Sequence, residues 1–261
     1  HVGGKTLLTE GGVYSYDRSA WRRYVLSSRA HNVVLVDGQE QNRGRRRETY
    51  RTDKPYESRW FTSSEFDFAQ GVYDSGFGPG GEVQVTQTRQ VLFVKPDYWL
   101  VVDDFVPADD KPHTYEALFH LEAATAQVDK ATAAVTVEEG GAGLRIIPLA
   151  RERPQVTIVQ GQQEPVVQGW LPTGRHNVVR PIPTAVFRWQ ATGRTRMVYA
   201  LVPGEGGRWP LAGATGRAEG VVVSLTAGGS DRLEWDGPAG ALVLTRTPRP
   251  GAPAERVFTL R

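Results

Sequence analysis

Residues 91–105 read VLFVKPDYWLVVDDF, two apolar runs joined by Lys95, Pro96 and Asp97. Proline presets one turn dihedral and an aspartate side chain can bond its own backbone, so the stretch reads as a tight hairpin. Near the turn both runs are apolar on both faces, whereas a hairpin with one side in water would alternate. The hairpin is therefore expected to be central and covered on each side. A sheet covered on both faces needs further layers, and the fold class that follows is all-β: a large antiparallel β-sandwich, supersandwich-like, built of stacked sheets.

The rest of the chain agrees with that reading. Period-two alternation and β-branched or aromatic enrichment run from end to end, with strand candidates at 6–9, 32–36, 58–63, 66–73, 83–94, 98–105 and 114–121 and a similar series beyond. Gly-rich stretches such as VEEGGAGL and TAGGSDRLEW supply turns between strands. One helical turn is expected near residues 18–25, in YDRSAWRRYVL. There Asp17 can cap the start, and Trp21, Tyr24 and Val25 fall at i, i+3, i+4 on one face, with Arg22 and Arg23 pointing elsewhere. The chain reads as a single domain over 1–261, with a seam near 203–216 before a terminal sheet. Its opening, HVGGKTLLTEGG, reads as a strand already under way, as though a longer protein had been cut there.

Composition bounds the possible roles. The 261 residues contain 31 Lys and Arg against 29 Asp and Glu, a formal net charge of +2, so the global field points to neither a nucleic-acid nor a membrane partner. No apolar run approaches the roughly 18–20 residues of a membrane span. Cysteine is absent, which removes thiol chemistry and thiolate metal sites. Arginine predominates among the cations, and its planar fork pairs two-pronged with carboxylates, sulfates and phosphates; a GC-rich coding bias would give the same excess.

Chemistry-bearing residues gather early. Glu10, Tyr14, Tyr16, Arg22, Arg23, Arg29, His31 and Asn32 lie within about a tenth of the chain by rough count. SSRAHN offers no sharp Gly-flanked turn for a nucleophilic serine. Glu10 and His31 supply an oxygen and a nitrogen donor that suit zinc or a related divalent ion if further ligands come from elsewhere. The other reading of His31 is a packed, satisfied histidine at a strand mouth. A second group is the basic run NRGRRRET, with Arg43 and Arg45 to Arg47, able to grip an anionic polymer or to stay a solvated loop. A third is aromatic: Trp60, Tyr73, Trp170 and Trp189, with Arg175 and His176 close to Trp170, the residue types that stack on a sugar and hold its acid group, or that fill a core. His120 reads as packed and hydrogen-bonded.

The ordered landmarks GGKTLLTEGGVYSYDRSAWRRYVLSSRAHNVVLVDGQEQ, RQVLFVKPDYWLVVDDF, HTYEALFHL and VQGWLPTGRHNVVRPIPTAVF together resemble the C-terminal β-rich half of the heparinase II/III-like family of bacterial polysaccharide lyases. The resemblance is dense over the first 40 or so residues by eye, looser to about Pro203, and not visible beyond. It implies an N-terminal α/α toroid, outside this chain, that closes a glycan cleft against the sheets. It also implies cleavage of uronate-containing glycans by β-elimination, which needs a base for the C5 proton and neutralisation of the carboxylate. An anionic polysaccharide partner and a periplasmic or secreted parent protein follow from the same likeness.

Residue by residue, the resemblance puts His31 on a histidine that ligates zinc in several members and Glu10 where the family usually has Asp. The third ligand would precede residue 1. Tyr14, Tyr16, Arg22, Arg23, Arg29 and Asn32 fall on the cleft side as substrate contacts, with Tyr14 and Tyr16 the candidates for a phenolic base if a cation lies near. The chain alone would be inactive. Two alternatives stay open: a non-catalytic carbohydrate-binding or structural β domain, and a mutarotase-like supersandwich, which would need an acid and base pair converging in one pocket.

Overall fold

The computed structural model describes residues 1–42, 58–150, 153–217, 220–236, 241–248 and 251–260. The basic run at Arg43 and Arg45 to Arg47 lies outside them. Three stacked antiparallel sheets organise the described chain. The outer sheet has the order β1 (Val34–Val36), β6 (Pro112–His120), β13 (Thr184–Thr192), β10 (Gln155–Val159).

The middle sheet has eight strands. Its order is β2 (Arg59–Thr62), β3 (Phe66–Tyr73), β4 (Val85–Val94), β5 (Tyr98–Pro107), β14 (Thr195–Glu205), β9 (Ala142–Pro148), β8 (Val135–Glu139), β7 (Gln127–Val128). A third sheet, β15 (Leu211–Arg217), β16 (Gly220–Leu225), β17 (Ser230–Asp236), β18 (Ala241–Thr247) and β19 (Glu255–Leu260), runs as a simple meander. A small ribbon, β11 (Trp170–Pro172) with β12 (Val179–Pro181), completes the set.

The opening hairpin is β4–β5, with Val94 paired to Tyr98 and Val91 to Val101. Its doubly apolar pattern follows from two cores. Val85, Val101 and Phe105 face the first core, with Val34, Tyr115 and Phe187 of the outer sheet. Leu92, Leu100 and Val102 face the second, with Val221, Leu233, Leu244 and Phe258 of the third sheet. A polar stitch crosses the second interface: the Tyr98 hydroxyl donates to Asp231 at 2.9 Å, and Arg246 grips the same buried carboxylate at 2.7 and 2.8 Å.

Two local expectations change. Residues 6–9 do not form a strand; the segment runs beside the last residues of β6, where only the Leu8–Leu121 bridge forms because little of that strand is left to pair with. The helix α1 (Ala20–Leu26) is capped by Ser19, whose side chain accepts from the Arg22 N–H, rather than by Asp17. Asp17 sits one step back and accepts from the Ser19 N–H at 3.0 Å and hydroxyl at 2.6 Å, holding the cap in place. The expected face is otherwise present, with Tyr24 and Val25 buried in a satellite cluster and Trp21 packed against it. Among the described residues no helix is long and apolar enough to cross a membrane.

Candidate functional site

The segment before Glu10 is pinned to the end of β6: the Thr9 N–H donates to the His120 carbonyl at 3.0 Å and the Glu122 N–H to the Leu7 carbonyl at 2.9 Å. A 3₁₀ turn, Ser28–Ala30, then delivers His31 opposite. Gly11 is what lets the two segments meet, since a Cβ there would stand 3.0 Å from the Ala30 carbonyl oxygen and 3.1 Å from its Cβ.

At this meeting point Glu10 Oε2 lies 2.7 Å from His31 Nδ1, while Oε1 accepts from the Asn32 backbone N–H at 3.1 Å and from its side-chain amide at 2.7 Å. A carboxylate only accepts, so Nδ1 donates, and in the neutral imidazole the lone pair is on Nε2. Among the described residues Nε2 has no partner, and the ring is 30 % exposed. Burial alone would raise the Glu10 carboxyl, but the bonds from His31 and Asn32 outweigh it and hold its pKa below the ordinary value.

Polar contacts from beneath fix this arrangement. The Asn32 amide also donates to the Thr9 carbonyl at 2.7 Å, and its side-chain oxygen accepts from the His120 N–H at 2.8 Å. Arg89 rises from the middle sheet to the Asn32 carbonyl and is gripped by Asp103 through two bonds of 2.7 Å. Asp103 is fully buried and takes a further bond from Gln87 at 2.8 Å. His120 and Gln168 both donate to the Arg29 carbonyl at 2.9 Å. His120 is packed and hydrogen-bonded, as expected, and burial lowers its pKa to about 4. The sequence reading missed Arg89, Asp103 and Gln168. The first two were within reach, because hairpin register counted from the Lys95–Asp97 turn sets Arg89 opposite Asp103.

The structure brings together Glu10, His31 and Asn32, and separately Tyr16 with Arg22, whose guanidinium lies over the phenol ring at 4.9 Å. Tyr14 is elsewhere, buried with Tyr24, Val25 and Ala30. The Arg29 guanidinium donates to the Gly38 carbonyl at 2.9 Å, and the Arg23 guanidinium to the Arg18 carbonyl at 2.9 Å. Trp60 is largely exposed, whereas Trp189 stacks on Tyr115 at 5.2 Å.

For a divalent metal the donor set is short. Both Glu10 oxygens already accept hydrogen bonds, His31 offers one nitrogen, and among the described residues no group of three or more His, Cys, Asp or Glu could hold an ion. These residues do not make a metal site by themselves.

The family described as heparinase II/III-like, C-terminal, matches residues 1–190. Among curated proteins no sequence matches. A mutant heparan sulfate lyase HepC from Pedobacter heparinus aligns over 98 % of this chain with a TM-score of 0.66 and 17 % identity. A structure described as heparinase III aligns over 98 % of the chain with a TM-score of 0.60 and 11 % identity. The chain covers 35 % of the first and 34 % of the second, about a third of their length.

Proposed function

The chain belongs to the heparinase II/III-like family, matching its C-terminal β-rich part, and on that premise we propose that it is the sheet-bearing portion of a polysaccharide lyase that cleaves uronate-containing glycans by β-elimination. In this reading the chain forms one wall of the cleft. The observation that carries it is the Glu10–His31 pair, a carboxylate-oriented, partly exposed imidazole whose Nε2 has no partner among the described residues.

β-Elimination removes the C5 proton of a uronic acid while negative charge builds on its carboxylate, and the 4-O leaving group departs with a proton. Arg22 and Arg23 are the groups suited to neutralise that charge, and Tyr16, 91 % exposed, is the phenol that can reach a substrate. Tyr14 and Asn32 take supporting parts, one in the satellite core and the other as the hub beneath His31. A divalent ion at His31 would need donors from outside the described residues, with Glu10 orienting the ring.

The test is ultraviolet detection of unsaturated product from heparan sulfate and from alginate. The chain alone should release none. A longer parent protein that includes the toroid should release it, and His31→Ala should reduce its rate by at least tenfold or so, the scale of one lost oriented catalytic or binding group. Release by the isolated chain, or an unimpaired His31→Ala parent, refutes the assignment.

A further inference from the structure

Helix α1 meets the β11–β12 ribbon beside the segment that leads to His31. The Trp21 ring packs edge-on against Trp170 at 4.8 Å, and the Tyr24 hydroxyl donates to the Trp170 carbonyl at 3.2 Å. The ribbon's turn is closed by the Thr173 N–H to the Val178 carbonyl at 3.0 Å and turns through Asn177 at φ 58°. Arg175 and His176 stand exposed at its tip. Through Trp170, at the start of β11, the ribbon that carries this tip is held against α1.

The charge on this surface is unbalanced. Among the described residues Arg18, Arg22, Arg23 and Arg175 make no ion pair, and three of them fall within six positions of one another. The acid alongside them, Asp17, is committed to Ser19. Gathering unpaired guanidiniums is mildly unfavourable for folding and gains the fold nothing, whereas an anion with two oxygens suits each fork. Arg22 is already stacked on Tyr16, a geometry that leaves the guanidinium edges free to donate.

We propose that Arg18, Arg22 and Arg23 at α1, with Arg175 and His176 of the β11–β12 turn, form one cationic lip that binds the sulfate or carboxylate groups of an anionic glycan, with Tyr16 as a face for a sugar ring. This deepens the lyase reading and rests on it, adding a second element, the ribbon turn, that meets the glycan away from His31.

The experiment measures binding of the chain to size-defined heparan sulfate oligosaccharides, to alginate oligomers and to a neutral glucan, over a range of salt. Arg175→Gln/His176→Gln should weaken anionic binding about tenfold, the size of one charge-assisted contact, and flatten the salt slope by roughly one contact's worth. Arg22→Gln should do likewise. Weakening with heparan sulfate alone assigns the lip to sulfate; weakening with alginate as well assigns it to the uronate carboxylate. Wild-type binding that the turn variant leaves unchanged, in affinity and slope, overturns the lip and leaves the lyase reading standing. Absence of any anionic-glycan binding by the wild type, or equal binding of the neutral glucan, overturns both. The turn residues are exposed, so their replacement leaves folding intact.

Discussion

The two ends of β6 each carry a histidine, and the fold treats them in opposite ways. At one end His113 is clamped between Asp37 at 2.7 Å and Asp109 at 2.9 Å. Burial would lower its pKa, but the two carboxylates outweigh that and raise it. At the other end His120 lies under the Glu10–His31 pair with neutral partners, the Arg29 carbonyl and the Asn32 side-chain oxygen, and burial lowers its pKa to about 4. Burial is common to both ends; the partner decides which form is kept. The end that carries the candidate site therefore holds its imidazole toward the neutral form, and the far end holds its own toward the cationic form.

That contrast can be broken in order of expected effect. The largest is Asp103→Ala, which leaves Arg89 partly buried without its partner and frees the Asn32 carbonyl from a rigid anchor. A loss of about 3–5 kcal/mol is expected in urea denaturation. The His31 ring signal should move in the NMR spectrum while that of His113 stays put.

The next is a pH titration of stability. The depressed His120 pKa means its stabilising contribution is complete above about pH 6.5, the unfolded value, and is lost as pH falls toward about 4. On the order of 3 kcal/mol should disappear across that window, and His120→Gln should flatten the slope. A slope that survives the substitution between about pH 6.5 and 4.5 would refute the assignment to His120, since the lowered Glu10 carboxyl acts only below about pH 4.5.

At the other end the sign reverses. The raised His113 pKa gives stability that is complete below about pH 6.5 and is lost as pH rises through the folded value. Asp37→Asn keeps a residue that tolerates φ 53° and still accepts from the Thr114 N–H, but removes one charge from the clamp. A deficit of about 1–2 kcal/mol is expected at pH 5–6, shrinking above neutrality. The smallest effect is at the surface: Tyr16→Ala should change stability by less than about 0.5 kcal/mol, and a larger loss would mean that the ring packs in the fold.

The hairpin at 91–105 was legible because a strand pair apolar on both faces has to be covered on both, and a core lies against each face. The buried face of α1 was legible for the same periodic reason. Site detail was harder to read. A tyrosine carries equal credentials for a core and a cleft, so nothing local separates Tyr14, buried with Tyr24, from Tyr16, exposed under Arg22. The Glu10–His31 pair depends on a close backbone approach at Gly11, a contact between segments some 20 positions apart that no local pattern encodes. Asn32 reads as a polar group awaiting a ligand; only the three-dimensional neighbours reveal that its amide is already saturated.

The strand β14 lies between β5 and β9, in the middle of the eight-stranded sheet, yet it begins at Thr195, just past the last residue matched by the family at 190. The stretch matched by the family and the stretch that closes the sheet therefore end at different places. Cutting the gene where similarity fades would split the sheet down its centre, leaving the Val101 and Leu100 backbones without a neighbour on one side. The residues after 190, outside the family match, include a strand that the matched stretch depends on for closure.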